Sequence, residues 1–170
     1  MSIPIACNVR VTLASVSCKE GTTRSGKWSA LDFLFEYLGR YHSEKVFGPR
    51  DSEERIKVSK MLRHISDVIG IDYENIEYQS SFAEFARHYA SLTKPMWGTQ
   101  IYGKFVPRVD NSKDIPKIYP RLGYDLPVLS LNSDLSYTAE EEAAIEAANA
   151  KISDYGSNDA AVNRLGDVPF

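Results

Sequence analysis

From Ile3 to Leu13 the odd positions are apolar (Ile3, Ile5, Cys7, Val9, Val11, Leu13), with Asn8, Arg10 and Thr12 between them. A period of two is the pleat of a β-strand with one buried face. Past Leu13 the phase inverts: Val16 and Cys18 are apolar, Ser15 and Ser17 polar. One inserted residue exchanges the two faces of a strand, so a bulge is predicted near Ala14–Ser15.

The next stretch, CKEGTTRSGKWS, sets four residues between Gly21 and the Gly26–Lys27 pair. That is the spacing of a phosphate-binding loop, in which backbone amides wrap the phosphate, a lysine meets its charge and a hydroxyl holds magnesium. Trp28 stands where the hydroxyl belongs, and Ser29 comes one residue late. VIGID at 68–72 is the nearest approach to the strand-terminal aspartate such a site needs, and its Val68 and Ile69 fit a helix better. The expectation that remains is a turn between strand and helix, where Gly21, Gly26 and Lys27 are candidates for gripping a phosphate or other anion.

Trp28, Leu31, Leu34, Phe35 and Leu38 recur at helical spacing and predict a helix over 28–42, widened by Phe33, Tyr37 and Tyr41 and weakened by Gly39. A second helix is expected from Ser52 to Gly70, with Val58, Met61, Leu62 and Ile65 on its core face. Ser81 and Glu84 form a capping box for a third, which buries Phe82, Phe85, Tyr89 and Leu92 before Lys94–Pro95 closes it. Residues 97–109 read as one or two short strands. Prolines at 107, 116, 120 and 127 then preclude a regular helix and disfavour central strands. Thr138 and Glu141 cap a final helix of alanine and glutamate, with Ile145 and Ile152 its only large aliphatics.

With 170 residues, the chain has enough material for one proper core. The expected class is α+β: an N-terminal strand unit and a short strand pair on about three helices, spanning 1–109, then an extended C-terminal arm with an acidic helix over 110–170. Cys7 and Cys18 read as reduced core residues. No apolar run is long enough for a bilayer, and the first residues lack the pattern of a secretory signal, so a cytoplasmic setting is expected.

Charge is uneven along the chain. Residues 1–64 hold 11 Lys and Arg against 7 Asp and Glu, while residues 130–170 hold 2 against 8. Arg40, Lys45, Arg50, Arg55, Lys57, Lys60 and Arg63, beside Tyr41 and Phe47, are candidate nucleic-acid contacts. Tyr119, Leu122, Tyr124, Leu126, Val128, Leu129 and Leu131 are too apolar for a free linker and are candidates for a protein interface. Glu84 with His88, and Asp110 with Asp114, lack metal-site spacing, so neither a metal nor another cofactor is expected. The function these features favour is a non-enzymatic assembly or adaptor protein, acting with a protein partner or as a homo-oligomer. A nucleic-acid or anion contact would lie on its basic half. The competing expectation is a small enzyme that uses the Gly21–Lys27 loop on a phosphorylated or nucleotide substrate.

Overall fold

A computed structural model of the chain describes residues 2–123 and 126–153. The fold is α+β, and the chain divides into two compact units, one formed by Val11–Ile101 and the other by the described residues on either side of it.

In the first unit, β1 (Val9–Thr23), β2 (Gly26–Tyr37) and β3 (Arg40–Phe47) form an antiparallel meander. The β1–β2 register slips between Leu13 and Ser15, which makes Ala14 the extra residue that inverts the alternation. Residues 28–42 are therefore not the expected helix. Leu31, Phe33 and Phe35 are fully buried, while Asp32, Leu34 and Glu36 are half-exposed between them. These aromatic-rich alternating residues suit a pleated sheet. The turn that separates β2 from β3 is Leu38–Gly39, with φ of 48° and 76°. Two consecutive positive φ values define a type I′ turn, whose twist matches that of the flanking strands. Glu36 Oε1 accepts a hydrogen bond from the Gly39 N–H at 2.6 Å.

Leu38 pays a steric penalty there of about 1–2 kcal/mol, which asparagine largely avoids. Its side chain is 75% exposed, so no core contact offsets the strain. Leu38→Asn is expected to raise the unfolding free energy by roughly 0.5–1 kcal/mol. A shift of the urea midpoint to higher concentration checks this.

Helix α1 (Ser52–Ile69) is capped by Asp51, whose side chain accepts from the Glu54 N–H, and it ends on Gly70 with φ 90°. Helix α2 (Phe82–Thr93) starts at Ser81, whose hydroxyl accepts from the Glu84 N–H. Both helices cover the Leu31–Phe33–Phe35 side of the sheet: Phe33 meets the edge of Tyr89 with centroids 6.0 Å apart. Leu62, Ile65 and Ile69 are buried on α1, and each such side chain stabilises the fold by about 1.5–3 kcal/mol. The Tyr89 hydroxyl shares a 2.6 Å hydrogen bond with Ser66 Oγ, and burial pushes its pKa far above the usual tyrosine value. Strand β4 (Gln100–Gly103) follows, and Leu13 exchanges backbone hydrogen bonds with Thr99 and Gly98 just ahead of it.

The second unit holds the end of β4, paired with β7 (Leu129–Ser130), and a separate two-stranded ribbon of β5 (Phe105–Asp110) and β6 (Lys117–Leu122). Pro107 and Pro120 face each other across that ribbon. Both are tolerated because a two-stranded ladder consists only of edge strands, where a missing N–H costs least. Ile5, Ile145 and Ala148 form a small core against which Val109, Ile118 and Tyr137 pack.

Helix α3 (Ala139–Ser153) opens on a reciprocal cap: the Thr138 N–H donates to Glu141 Oε1 at 2.9 Å, and the Glu141 N–H to Thr138 Oγ1 at 3.1 Å. Glu141 also receives Lys104 Nζ at 2.7 Å, with both side chains buried. Burial alone would raise the Glu141 carboxyl, but the hydrogen bonds from Lys104 and Thr138 hold it below the usual carboxylate range. Asn8, at φ 55°, donates its amide to the Leu135 carbonyl at 2.7 Å and accepts from the Leu135 N–H at 2.8 Å. One side chain thereby imitates a strand pairing. The acidic helix is better anchored than its sequence suggests, because Ile145, Ala148 and Ile152 are all buried.

Candidate nucleic-acid interface

The Gly21–Lys27 stretch is a hairpin, not a strand-to-helix turn. Gly21 pairs with Trp28, Thr22 with Lys27 and Thr23 with Gly26, around a two-residue loop at Arg24–Ser25. No helix N-terminus follows, so the phosphate-cradle reading of Gly21 and Gly26 loses its geometry. Gly26, at φ 124°, serves the turn. Gly21 serves Trp28: a Cβ on Gly21 would lie 2.5 Å from the indole, so the ring lies flat over the β1 backbone. A bare glycine under a cross-strand aromatic is a seat for that ring.

Trp28 is one wall of a cleft of about 780 Å3 at this end of the meander. Strand β2 contributes Lys27 and Trp28, β3 contributes Lys45 and Phe47, and α1 contributes Lys57. Trp28 and Phe47 meet edge to face, with centroids 5.6 Å apart and planes at 63°. Phe47 is 52% exposed, an unusual position for a phenylalanine with nothing described above it. Alternation along β3 sets Tyr41, Ser43, Lys45 and Phe47 on its exposed side, and Tyr41 is 61% exposed.

Arg50 also lines the cleft, but its charge is spent. Its Nε and Nη2 donate to Glu54 Oε1 at 2.9 and 2.6 Å, and its backbone N–H donates to Oε2. The hydrogen bonds from Arg50 hold the Glu54 carboxyl below its usual range. Lys27, Lys45 and Lys57 therefore carry the cleft's positive charge. Lys45 Nζ reaches only the Ser43 hydroxyl, at 3.3 Å.

The other basic candidates lie elsewhere. Arg55 lines a different groove, beside Tyr73 and Phe85. Arg63 donates to Glu74 at 2.6 Å and lies 5.6 Å over the Tyr73 ring, which makes it a structural tie. Lys60 is exposed on α1, and Arg40 begins β3 at the hairpin turn. Trp28 and Phe82, which complete the aromatic lining, were missing from the sequence-based site. For Trp28 the signal was the Leu38–Gly39 turn, which reassigns it to a strand.

The proposed interface segment is partly internal. Leu122 and Leu129 are buried in their own unit, Leu126 and Val128 are half-buried, and Tyr119 and Leu131 are 44% and 58% exposed. Tyr124 lies outside the described residues. Cys18 offers its thiol to the Ala83 carbonyl at 3.8 Å, and burial pushes its pKa up, away from thiolate chemistry. Among the described residues no group of three or more His, Cys, Asp and Glu side chains could hold a metal ion. No helix among them is long and apolar enough to cross a membrane.

Comparison of the chain with protein-family models, with characterised proteins and with solved structures finds no match in any of the three.

Proposed function

We propose that the chain is a non-catalytic protein that binds single-stranded nucleic acid through the cleft of Lys27, Trp28, Lys45, Phe47 and Lys57. The observation that carries this reading is the edge-to-face pair of half-buried Trp28 and exposed Phe47 in a cleft that Lys27, Lys45 and Lys57 also line. Bases stack on exposed aromatic faces, and a line of cations follows the phosphates beside them. Paired bases in a duplex offer no free face to such a platform, so the same cleft favours single strands.

A tryptophan-fluorescence titration with an oligothymidylate of about 16 nucleotides tests the proposal. Saturable quenching is expected, retained when Trp97 is replaced by Phe. The logarithm of the binding constant should fall with the logarithm of salt at a slope near −2, as about three released counterions require. Absence of binding at low salt, or equal binding of a duplex without quenching, overturns it. The assembly reading keeps Tyr119 and Leu131 as its exposed apolar surface. Light scattering on the same sample tests that part: a mass above 19.1 kDa supports it, and a monomer removes it.

A further inference from the structure

We infer that the outer edge of β3 is the contact surface of a symmetric dimer, in which β3 pairs antiparallel with β3 of a second copy of this chain. The inference does not rest on the nucleic-acid reading. Strand β3 ends the order β3–β2–β1–β4–β7, and among the described residues no strand lies against its outer side. Its eight residues include neither proline nor glycine, and they pair with β2 without a register slip. An edge guarded against pairing usually carries a proline, a bulge or a covering element.

The hairpin turn fixes which backbone groups point outward. Tyr37 and Arg40 flank a two-residue turn and so exchange both of their hydrogen bonds. By alternation His42, Glu44 and Val46 also turn their backbone toward β2, and the Gly48 N–H on the Ser29 carbonyl at 2.9 Å continues that phase. The N–H and C=O groups of Tyr41, Ser43 and Lys45 therefore face away from the sheet.

The side chains identify the occupant as a second copy, because the segment YHSEK at 41–45 is complementary to its own reverse. A two-fold axis at Ser43 sets Ser43 on Ser43, Tyr41 opposite Lys45 and His42 opposite Glu44. The outward residues then form ladder pairs, each exchanging its backbone hydrogen bonds across the interface. On the exposed face, the Lys45 ammonium can lie over the Tyr41 ring of the second copy. On the other face, His42 Nε2 and Glu44 Oε2 already lie 2.7 Å apart within one chain. The second copy brings its own Glu44 beside His42, so that histidine and carboxylate alternate around the axis. Sliding the copies by one pair either way sets Glu44 on Glu44 or His42 on His42, and like charges directly opposite destabilise a sheet. Charge thus selects one register. Phe47 lies beyond the paired stretch, opposite the Leu38–Gly39 turn of the second copy, so the pairing makes no use of the Trp28–Phe47 contact.

The test is sedimentation equilibrium of the full chain together with amide hydrogen exchange read residue by residue. A reversible monomer–dimer equilibrium is expected, with a Kd of about 1–100 μM, since one paired edge buries less than a standard interface. As concentration rises, the N–H groups of Tyr41, Ser43 and Lys45 should gain protection, whereas those of His42 and Glu44 are protected at every concentration. Ser43→Pro removes an N–H that points away from β2, a position where an edge strand tolerates proline. It should raise the dimer Kd at least about tenfold. Ser43→Ala loses the same hydrogen bond to Asp32 but keeps the N–H, and should leave the dimer intact. A chain that stays monomeric up to about 500 μM overturns the inference. So does a dimer without new protection at Tyr41, Ser43 and Lys45, whatever the proline variant does. A dimer that survives Ser43→Pro uses another surface, which overturns the inference and leaves the assembly reading through Tyr119 and Leu131 standing. Failure to bind oligothymidylate bears only on the nucleic-acid proposal, since no ligand enters these measurements.

Discussion

Lys104→Ala is expected to cost about 3–5 kcal/mol of unfolding free energy, measured by urea denaturation at pH 7. Lys104 Nζ lies 2.7 Å from Glu141 Oε1, and the two side chains are 11% and 7% exposed. Removing the ammonium leaves a buried carboxylate with only the Thr138 backbone and hydroxyl groups for company. A buried charge that loses its partner is far costlier than the pair is valuable. Lys104→Met combined with Glu141→Leu should therefore recover most of the loss, which separates the uncompensated charge from simple loss of packing. A single Lys104→Ala effect below about 1 kcal/mol would mean that water reaches the pair freely.

The same pair gives the fold an acid limb. The Glu141 carboxyl titrates lower in the folded chain than the usual value of 4.5. Its stabilisation is complete above that value and is lost as pH falls through the lower, folded one. Glu141→Gln should flatten this part of the stability profile while lowering stability at pH 7.

The second large effect concerns binding. Trp28→Ala and Phe47→Ala are each expected to weaken oligothymidylate binding by about tenfold to a hundredfold, as a lost stacking platform of 1–3 kcal/mol per base implies. The salt slope should stay unchanged in both variants, because no cation has been removed. Lys27→Gln, Lys45→Gln and Lys57→Gln should do the reverse, each reducing the slope by about 0.7 with a smaller loss of affinity at low salt. This crossing of the two signatures distinguishes stacking from charge. Variants of both kinds that change the slope alike would sink the stacking role of the aromatic pair.

Much of the fold could be read from short-range signals. The alternation over 9–13 and its inversion at Ala14 survive as β1 and its bulge, and Gly70, Ser81 and Thr138 end or start their helices as capping chemistry requires. The failure at 28–42 is equally physical. Leu31, Leu34, Phe35 and Leu38 satisfy a helical period, but Leu31, Phe33 and Phe35 satisfy a strand period with the same residues. A short apolar run cannot decide between them, and the tie is broken by the sheet that β1 offers and by the Leu38–Gly39 turn.

The site was legible only in fragments for the same reason. Lys45, Arg50 and Lys57 were in view because they cluster in sequence. Lys27 and Trp28 join them through strand pairing, which no local spacing encodes. Arg63 looked like its neighbours and proved to be tied to Glu74. At the other end of the chain, Leu122 and Leu129 read as sticky surface, because the proline-rich segment hid the ribbon and the short strand that bury them.

The clasp of Asn8 on Leu135 has a consequence for biosynthesis. Every residue of the Val11–Ile101 unit has been made once residue 101 leaves the ribosome's catalytic centre. The other unit is split by it in sequence, so Ile3 and Ile5 are made before the Val11–Ile101 unit, while Ile145 and Ala148, which pack with Ile5, are made after it. At about 5–20 residues per second, the fifty or so residues that complete their surroundings take about 3–10 s to appear. For that interval Ile5 is without the α3 side chains that pack on it. Chaperone capture during synthesis should therefore fall on the apolar stretch around Ile3 and Ile5.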